Sequence, residues 1–224
     1  HELNQPLTAI SSYTTGALNL LNGSDGAINP ELLKSALEKA SAQAQRAGQI
    51  IRSVHAFVKQ REPSRQSVSI QALLDSVLPL VRLQANTAFV SVHFHVAPNL
   101  PAVLADRTLL EQVLLNLTRN AVEAMQASDP DRRILNIHAN LTYIDGVPRV
   151  VVSISDLGEG ISDEVAERLF SPFFSTKAEG MGMGLNICRT AIEFHGGTLT
   201  YTHNPEGGTT FRFSLPTLSS SDEK

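Results

Sequence analysis

The chain has 224 residues, 42% of them hydrophobic and 18% charged, enough to bury an ordinary core in one large or two small domains. Its formal net charge is −4 with Lys and Arg scattered along it, so the basic patch of a nucleic-acid binder is missing and nucleic acid is not an expected partner. No run approaches the ~18 apolar residues of a membrane-spanning helix, and the single Cys188, set in an apolar helical pattern, reads as a buried small hydrophobe in a reducing compartment such as the cytoplasm.

In chain order, Leu3, Leu7, Ile10, Thr14, Ala17 and Leu21 alternate steps of four and three, the repeat of a helix packed in a bundle. Asn22-Gly23-Ser24-Asp25-Gly26 breaks it. Asn29 as N-cap and Pro30 at the first helical position open a second helix, along which Leu33, Leu37, Ala40, Ala44, Ala47, Ile51, Val54 and Val58 repeat the alternation. Two helices cannot enclose such a seam, and the alanines allow close approach, so a homodimer forming a four-helix bundle is expected. The competing arrangement is a hairpin packed on the rest of its own chain. His1, Gln5, Thr8 and Ser12 fall opposite the seam, which predicts an exposed His1. Pro6 is expected to bend the first helix beside it.

Residues 61–69 are polar, contain Pro63 and read as a linker between a hairpin domain, 1–60, and a second domain, 70–217; the polar residues 218–224 form a tail. Within the second domain the pattern predicts helices over 70–85, 106–125 and 183–195, and strands over 90–96, 134–143, 150–155, 198–202 and 209–214. The expected fold class is α+β, with the helical hairpin followed by an α/β sandwich whose helices cover one face of a mostly antiparallel sheet. His93 and His95 share one strand face without a third metal ligand and read as surface residues.

Nine of the fourteen glycines fall between Gly158 and Gly208, so the backbone there is kept bare for something to approach it. Asp156-Leu157-Gly158-Glu159-Gly160 follows an apolar strand and places a carboxylate, able to accept from an exocyclic amine, beside flexible backbone. Gly180-Met181-Gly182-Met183-Gly184-Leu185 precedes a periodic helix and offers backbone N–H groups and a positive dipole end to phosphate, with Lys177 as a mobile cation upstream. It is neither a Walker loop nor a dinucleotide fingerprint. Asn116 and Asn120 lie four residues apart on one helix face, joined by Glu123, and an asparagine oxygen is a suitable neutral ligand for Mg2+.

These segments resemble a known family. Asn116-Leu117-Thr118-Arg119-Asn120-Ala121 is similar to the N box, Phe170-x-x-Phe173-Phe174 to the F box, and Asp156-x-Gly158-x-Gly160, Gly180-x-Gly182-x-Gly184-Leu185 and Gly207-Gly208-Thr209 to the three glycine boxes of the Bergerat-fold (GHKL-type) ATPase domain of histidine kinases. The resemblance implies ATP and Mg2+ as cofactors, Asn120 as the metal ligand, Asp156 as reader of the adenine amine, and a lid over the phosphates from Phe170 to Gly184. Asn116 stands where hydrolytic relatives carry a water-activating Glu, which favours transfer to a side chain over hydrolysis. His1-Glu2-Leu3-Asn4-Gln5-Pro6-Leu7 in turn resembles the H-box of the dimerisation and phosphotransfer domain, in the form of FixL-like and DctB-like kinases. That implies His1 as phosphoryl acceptor, Glu2 as assisting acid, Gln5 at the position orienting water in the phosphatase reaction, a response-regulator receiver domain as partner, and an upstream sensor domain in the parent chain. The rival functions are a Bergerat-fold ATPase or nucleotide-binding scaffold that acts as a conformational clamp.

Overall fold

The computed structural model describes residues 4–22, 29–58, 64–172, 174–177 and 182–218, and falls into two compact units, His1–Gln60 and Arg61–Lys224. His1, Glu2, Phe173, Gly180 and the polar tail from 219 on therefore lie outside the described residues, as do the side chains of Gln5 and His55.

The first unit is an α-helical hairpin of α1 (Asn4–Asn22) and α2 (Pro30–Val58). Asn29 caps α2 as expected, its Oδ1 accepting from the N–H groups of Glu31 at 3.1 Å and Leu32 at 3.2 Å. Ala17, Ala40 and Ala47 are buried, whereas Leu7, Leu18, Leu21, Leu32 and Leu37 remain 44–57% exposed. Ala44 of the expected seam is exposed as well, whereas Ile10 and Leu33 are half-buried, so the two helices meet along a single line that leaves much of the seam unenclosed. Thr14 is tolerated in that seam because its hydroxyl donates back to the Ile10 carbonyl at 2.8 Å. Thr8 and Ser12, predicted to face away, are exposed.

The second unit comprises β1 (Gln66–Val68), α3 (Ile70–Thr87), β2 (Ser91–Val96), β3 (Val103–Ala105), α4 (Arg107–Ala124), β4 (Ile134–Ile144), β5 (Val147–Ser155), the short α5 (Asp163–Ala166), α6 (Gly184–Phe194), β6 (Thr198–His203) and β7 (Thr209–Pro216). Five strands form a sheet in the order β2-β4-β5-β7-β6. All its pairings are antiparallel except β2 with β4, which is parallel because the connection between them crosses over through α4. β1 and β3 make a separate antiparallel pair. Both were missed: residues 66–68 were assigned to the linker, and three-residue strands carry no readable period. Val68 and its partner Val103 are nevertheless buried, so the stretch before Ser69 belongs to the folded unit.

The register lines up apolar side chains across the whole sheet. Phe94, Ile137, Ile154, Phe211 and Tyr201 form one lane, and Val96, Ala139, Val152, Phe213 and Leu199 the next. This face packs against Leu73, Leu74, Leu110, Leu114, Leu117 and Ile192 of the covering helices. The opposite face is polar, with His93 and His95 exposed as predicted and the His95 ring 5.9 Å from that of His138. No group of three metal-capable side chains occurs among the described residues, and no described helix is long and apolar enough to cross a membrane. Cys188 is fully buried, its thiol pushed up to about 12 chiefly by loss of solvent.

Candidate functional site

Asp156 sits at the C-terminal end of β5, 2% exposed. Its Oδ1 accepts from the Gly158 N–H at 2.9 Å and the Thr209 N–H at 3.2 Å, while its own N–H donates to the Thr209 carbonyl at 3.0 Å. Among the described residues no donor reaches Oδ2. Burial raises the carboxyl above its ordinary range, and the two amide bonds only partly oppose this. Three further side chains brace the same corner. Asn204 donates through Nδ2 to the Asp156 carbonyl at 2.7 Å and to Ser155 Oγ at 3.1 Å, and Thr210 Oγ1 lies 2.6 Å from Asn204 Oδ1 and 2.9 Å from Ser155 Oγ. Arg132 Nη2 holds the β6–β7 turn by donating to the Glu206 carbonyl at 2.5 Å. None of these residues stands out in the sequence, since Asn204, four before Gly208, has the composition of an ordinary turn.

The glycines divide into two kinds. A Cβ on Gly158 would stand 2.6 Å from the Ala124 carbonyl oxygen at the end of α4, and one on Gly208, where φ is +90°, 2.2 Å from that of Asp156. What approaches these two is the protein's own backbone. Gly184 differs: among the described residues nothing lies within 4 Å of its Cβ position, at the start of α6. No side chain caps that helix end, whereas Asn29, Ser69 and Asp106 cap α2, α3 and α4. Gly160 and Gly182 take positive φ, at +80° and +64°. Leu185 is half-buried and anchors the start of α6 against the core.

Asn116 and Asn120 project from α4 as predicted and are half-buried. The Asn116 amide bears on the Cys188 thiol, whereas no described residue partners the Asn120 side chain. Past α5, Phe170 packs on Tyr201 with 6.5 Å between ring centroids, and its carbonyl accepts from Asn186 Nδ2 at 3.0 Å, so the front of the expected lid is fixed to α6. Lys177 is half-exposed, and its Nζ is paired with Glu123 on α4.

At the far end of α6, His195 is buried between helices, its Nδ1 donating to the Ala191 carbonyl at 2.6 Å and its Nε2 accepting from the Asp106 N–H at 2.9 Å. It ties the end of α6 to the start of α4, the two helices that carry site residues. Nothing in the sequence marked it, because Asp106 lies 89 residues away.

A family model, histidine kinase-, DNA gyrase B-, and HSP90-like ATPase, matches residues 105–219. The C4-dicarboxylate transport sensor protein DctS of Rhodobacter capsulatus is 44% identical over 216 residues, which cover 96% of this chain and 32% of DctS. The sensor protein FixL of Bradyrhizobium diazoefficiens is likewise 44% identical over 216 residues, covering 96% of this chain and 42% of FixL. The chain thus spans well under half the length of these curated relatives. Among solved structures, histidine kinase ThkA in complex with response regulator protein TrrA aligns with a TM-score of 0.74 and 28% identity, covering 100% of this chain and 60% of that one. With the family model lying over more than half of its length, and sensor proteins aligned along almost all of it, the chain belongs to the histidine kinase-, DNA gyrase B- and HSP90-like ATPases.

Proposed function

We propose that this chain is the autokinase core of a two-component sensor: its second unit binds Mg-ATP, His1 receives the γ-phosphoryl group, and an aspartate of a response-regulator receiver domain then takes it. The observation that carries the nucleotide part is Asp156, a buried carboxylate with one oxygen fixed by two backbone amides and the other left for a donor that the described residues do not supply. An adenine amino group meets that need. The uncapped start of α6 and the bare face of Gly184 suit phosphate oxygens. Mg2+ fits the unpartnered oxygen of Asn120, since this ion keeps several waters, takes few protein ligands and neutralises phosphate charge. Thr209, Gly158, Gly160 and Gly182 shape the backbone around these groups, Gly180 joins them by its place in the second glycine box, and Asn116 replaces the water-activating acid of hydrolytic relatives.

For the acceptor, the support is the H-box resemblance of residues 1–7 together with likeness to sensor kinases along the chain. A neutral imidazole nitrogen of His1 forms the new N–P bond as the bond from the γ-phosphorus to its bridging oxygen breaks and ADP leaves. Glu2 takes the proton from the other ring nitrogen. The five exposed leucines of the hairpin support a homodimer closing a four-helix bundle. Gln5 would orient water when the phosphoryl group is removed from the regulator, and the sensor domain would lie in the parent chain.

Incubating the chain with γ-labelled Mg-ATP tests this. Acid-labile, alkali-stable label is expected, absent from His1→Gln and from Asn120→Asp. ATP binding without label, or phosphate released equally by His1→Gln, would replace the kinase reading with the clamp.

A further inference from the structure

Glu123 lies three residues beyond Asn120 and emerges on the same face of α4. Two cations converge on its carboxylate. Arg119 Nε, one helical turn back, faces Oε1 at 3.7 Å, and Lys177 Nζ reaches Oε2 from the segment that follows the phenylalanines. The backbone of Lys177 is fixed separately, its N–H donating to Ser175 Oγ at 3.1 Å. A small turn therefore sets where the lysine starts, and its side chain spans to α4. Among the described residues, this is the one hydrogen bond between residues 174–177 and α4.

A carboxylate on the helix face that meets a triphosphate is an electrostatic liability unless it is neutralised. Here the two cations differ in kind: Arg119 belongs to the same helix and stays, whereas Lys177 comes from another segment and can leave. Both partners of the Lys177 pair are substantially solvent-exposed, at 47% and 35%, so the contact is screened and easily broken. A triphosphate offers an ammonium more negative charge than this single carboxylate, which Arg119 already shares.

Resting on the nucleotide reading above, we propose that Glu123 is a positioning residue that holds Lys177 over the α4 face in the empty site and exchanges it for the triphosphate. Nucleotide binding then replaces one anion by another on a single lysine, and Arg119 neutralises the Glu123 that is left behind. The pair serves as a latch, seating residues 174–177 on α4 before ATP arrives and releasing the lysine when it does.

A double-mutant cycle on the full chain tests this, with ATP affinity measured by calorimetry for Glu123→Gln, Lys177→Met and the pair. Glu123→Gln is expected to tighten ATP about fivefold when Lys177 is present and less than about twofold in the Lys177→Met background. Trypsin, which cuts after lysine, provides a second readout independent of activity. Without nucleotide, Glu123→Gln is expected to be cleaved at Lys177 several times faster than the unmutated chain, with ATP bringing the two to the same slow rate. Equal effects of Glu123→Gln in the two backgrounds, or unchanged cleavage, would show that Glu123 is only a background charge and overturn the proposal. An unmutated chain that fails to bind ATP overturns the nucleotide reading itself, and the latch with it.

Discussion

At Asp156 the binding role proposed above and the demands of folding oppose one another. Burial raises its pKa above the ordinary aspartate value, so folding favours the neutral form. Stability from this group is therefore complete below that unfolded value and is lost as pH rises through the folded one. Asp156→Asn keeps an oxygen for the Gly158 and Thr209 amides and removes the buried charge. Thermal melts are expected to show an unchanged or slightly raised Tm, while calorimetry shows ATP affinity reduced by about 100-fold; loss of both would contradict this account. His195 behaves with the opposite sign. Burial lowers its pKa below 6.5, reinforced by Arg65 and opposed by the Ala191 carbonyl and Asp106. Its contribution is full above the unfolded value and is lost as pH falls through the folded one, because protonating Nε2 removes the acceptor for the Asp106 N–H. The Tm of the chain should fall between pH 7 and 5, and His195→Gln, less stable at pH 7 by about 1–2 kcal/mol, should fall less.

Among the elements, α4 and α6 carry the site and the sheet carries them. Gly158 lets the loop after β5 touch the end of α4, where the Glu159 N–H also donates to the Ala124 carbonyl at 3.3 Å. Gly158→Ala forces that contact apart and is expected to cost about 2–3 kcal/mol in a denaturant titration. Gly184→Ala has open space and a helical backbone, so it should gain up to about 0.5–1 kcal/mol while weakening ATP binding. The two glycines look alike in sequence; opposite signs of stability change in one assay would separate folding glycines from binding ones.

For the whole molecule, the division into two units means that each buries its own contacts. The second has a continuous core, whereas the hairpin buries Ala17, Ala40 and Ala47 and leaves five leucines, Leu21 and Leu37 among them, exposed. Replacing Leu21 and Leu37 by Asp is therefore expected to convert a dimer to a monomer in analytical ultracentrifugation. ATP affinity should stay within about twofold, since no nucleotide contact is assigned to the hairpin.

Periodicity alone located the two hairpin helices, α3, α4, α6 and the five sheet strands to within a few residues, because each buries one face and repeats its apolar residues accordingly. Local chemistry likewise marked Asn29 as a cap, and motif spacing marked Asp156, Asn116 and Asn120. Only the tertiary structure decided what depends on distant partners. The parallel β2–β4 pairing, the short β1–β3 ribbon, the Asn204 brace behind Asp156, the His195 tie and the Lys177–Glu123 ion pair all join residues dozens of positions apart. Such contacts leave no period in the sequence, since each is set by how the sheet and its covering helices pack rather than by the residues on either side.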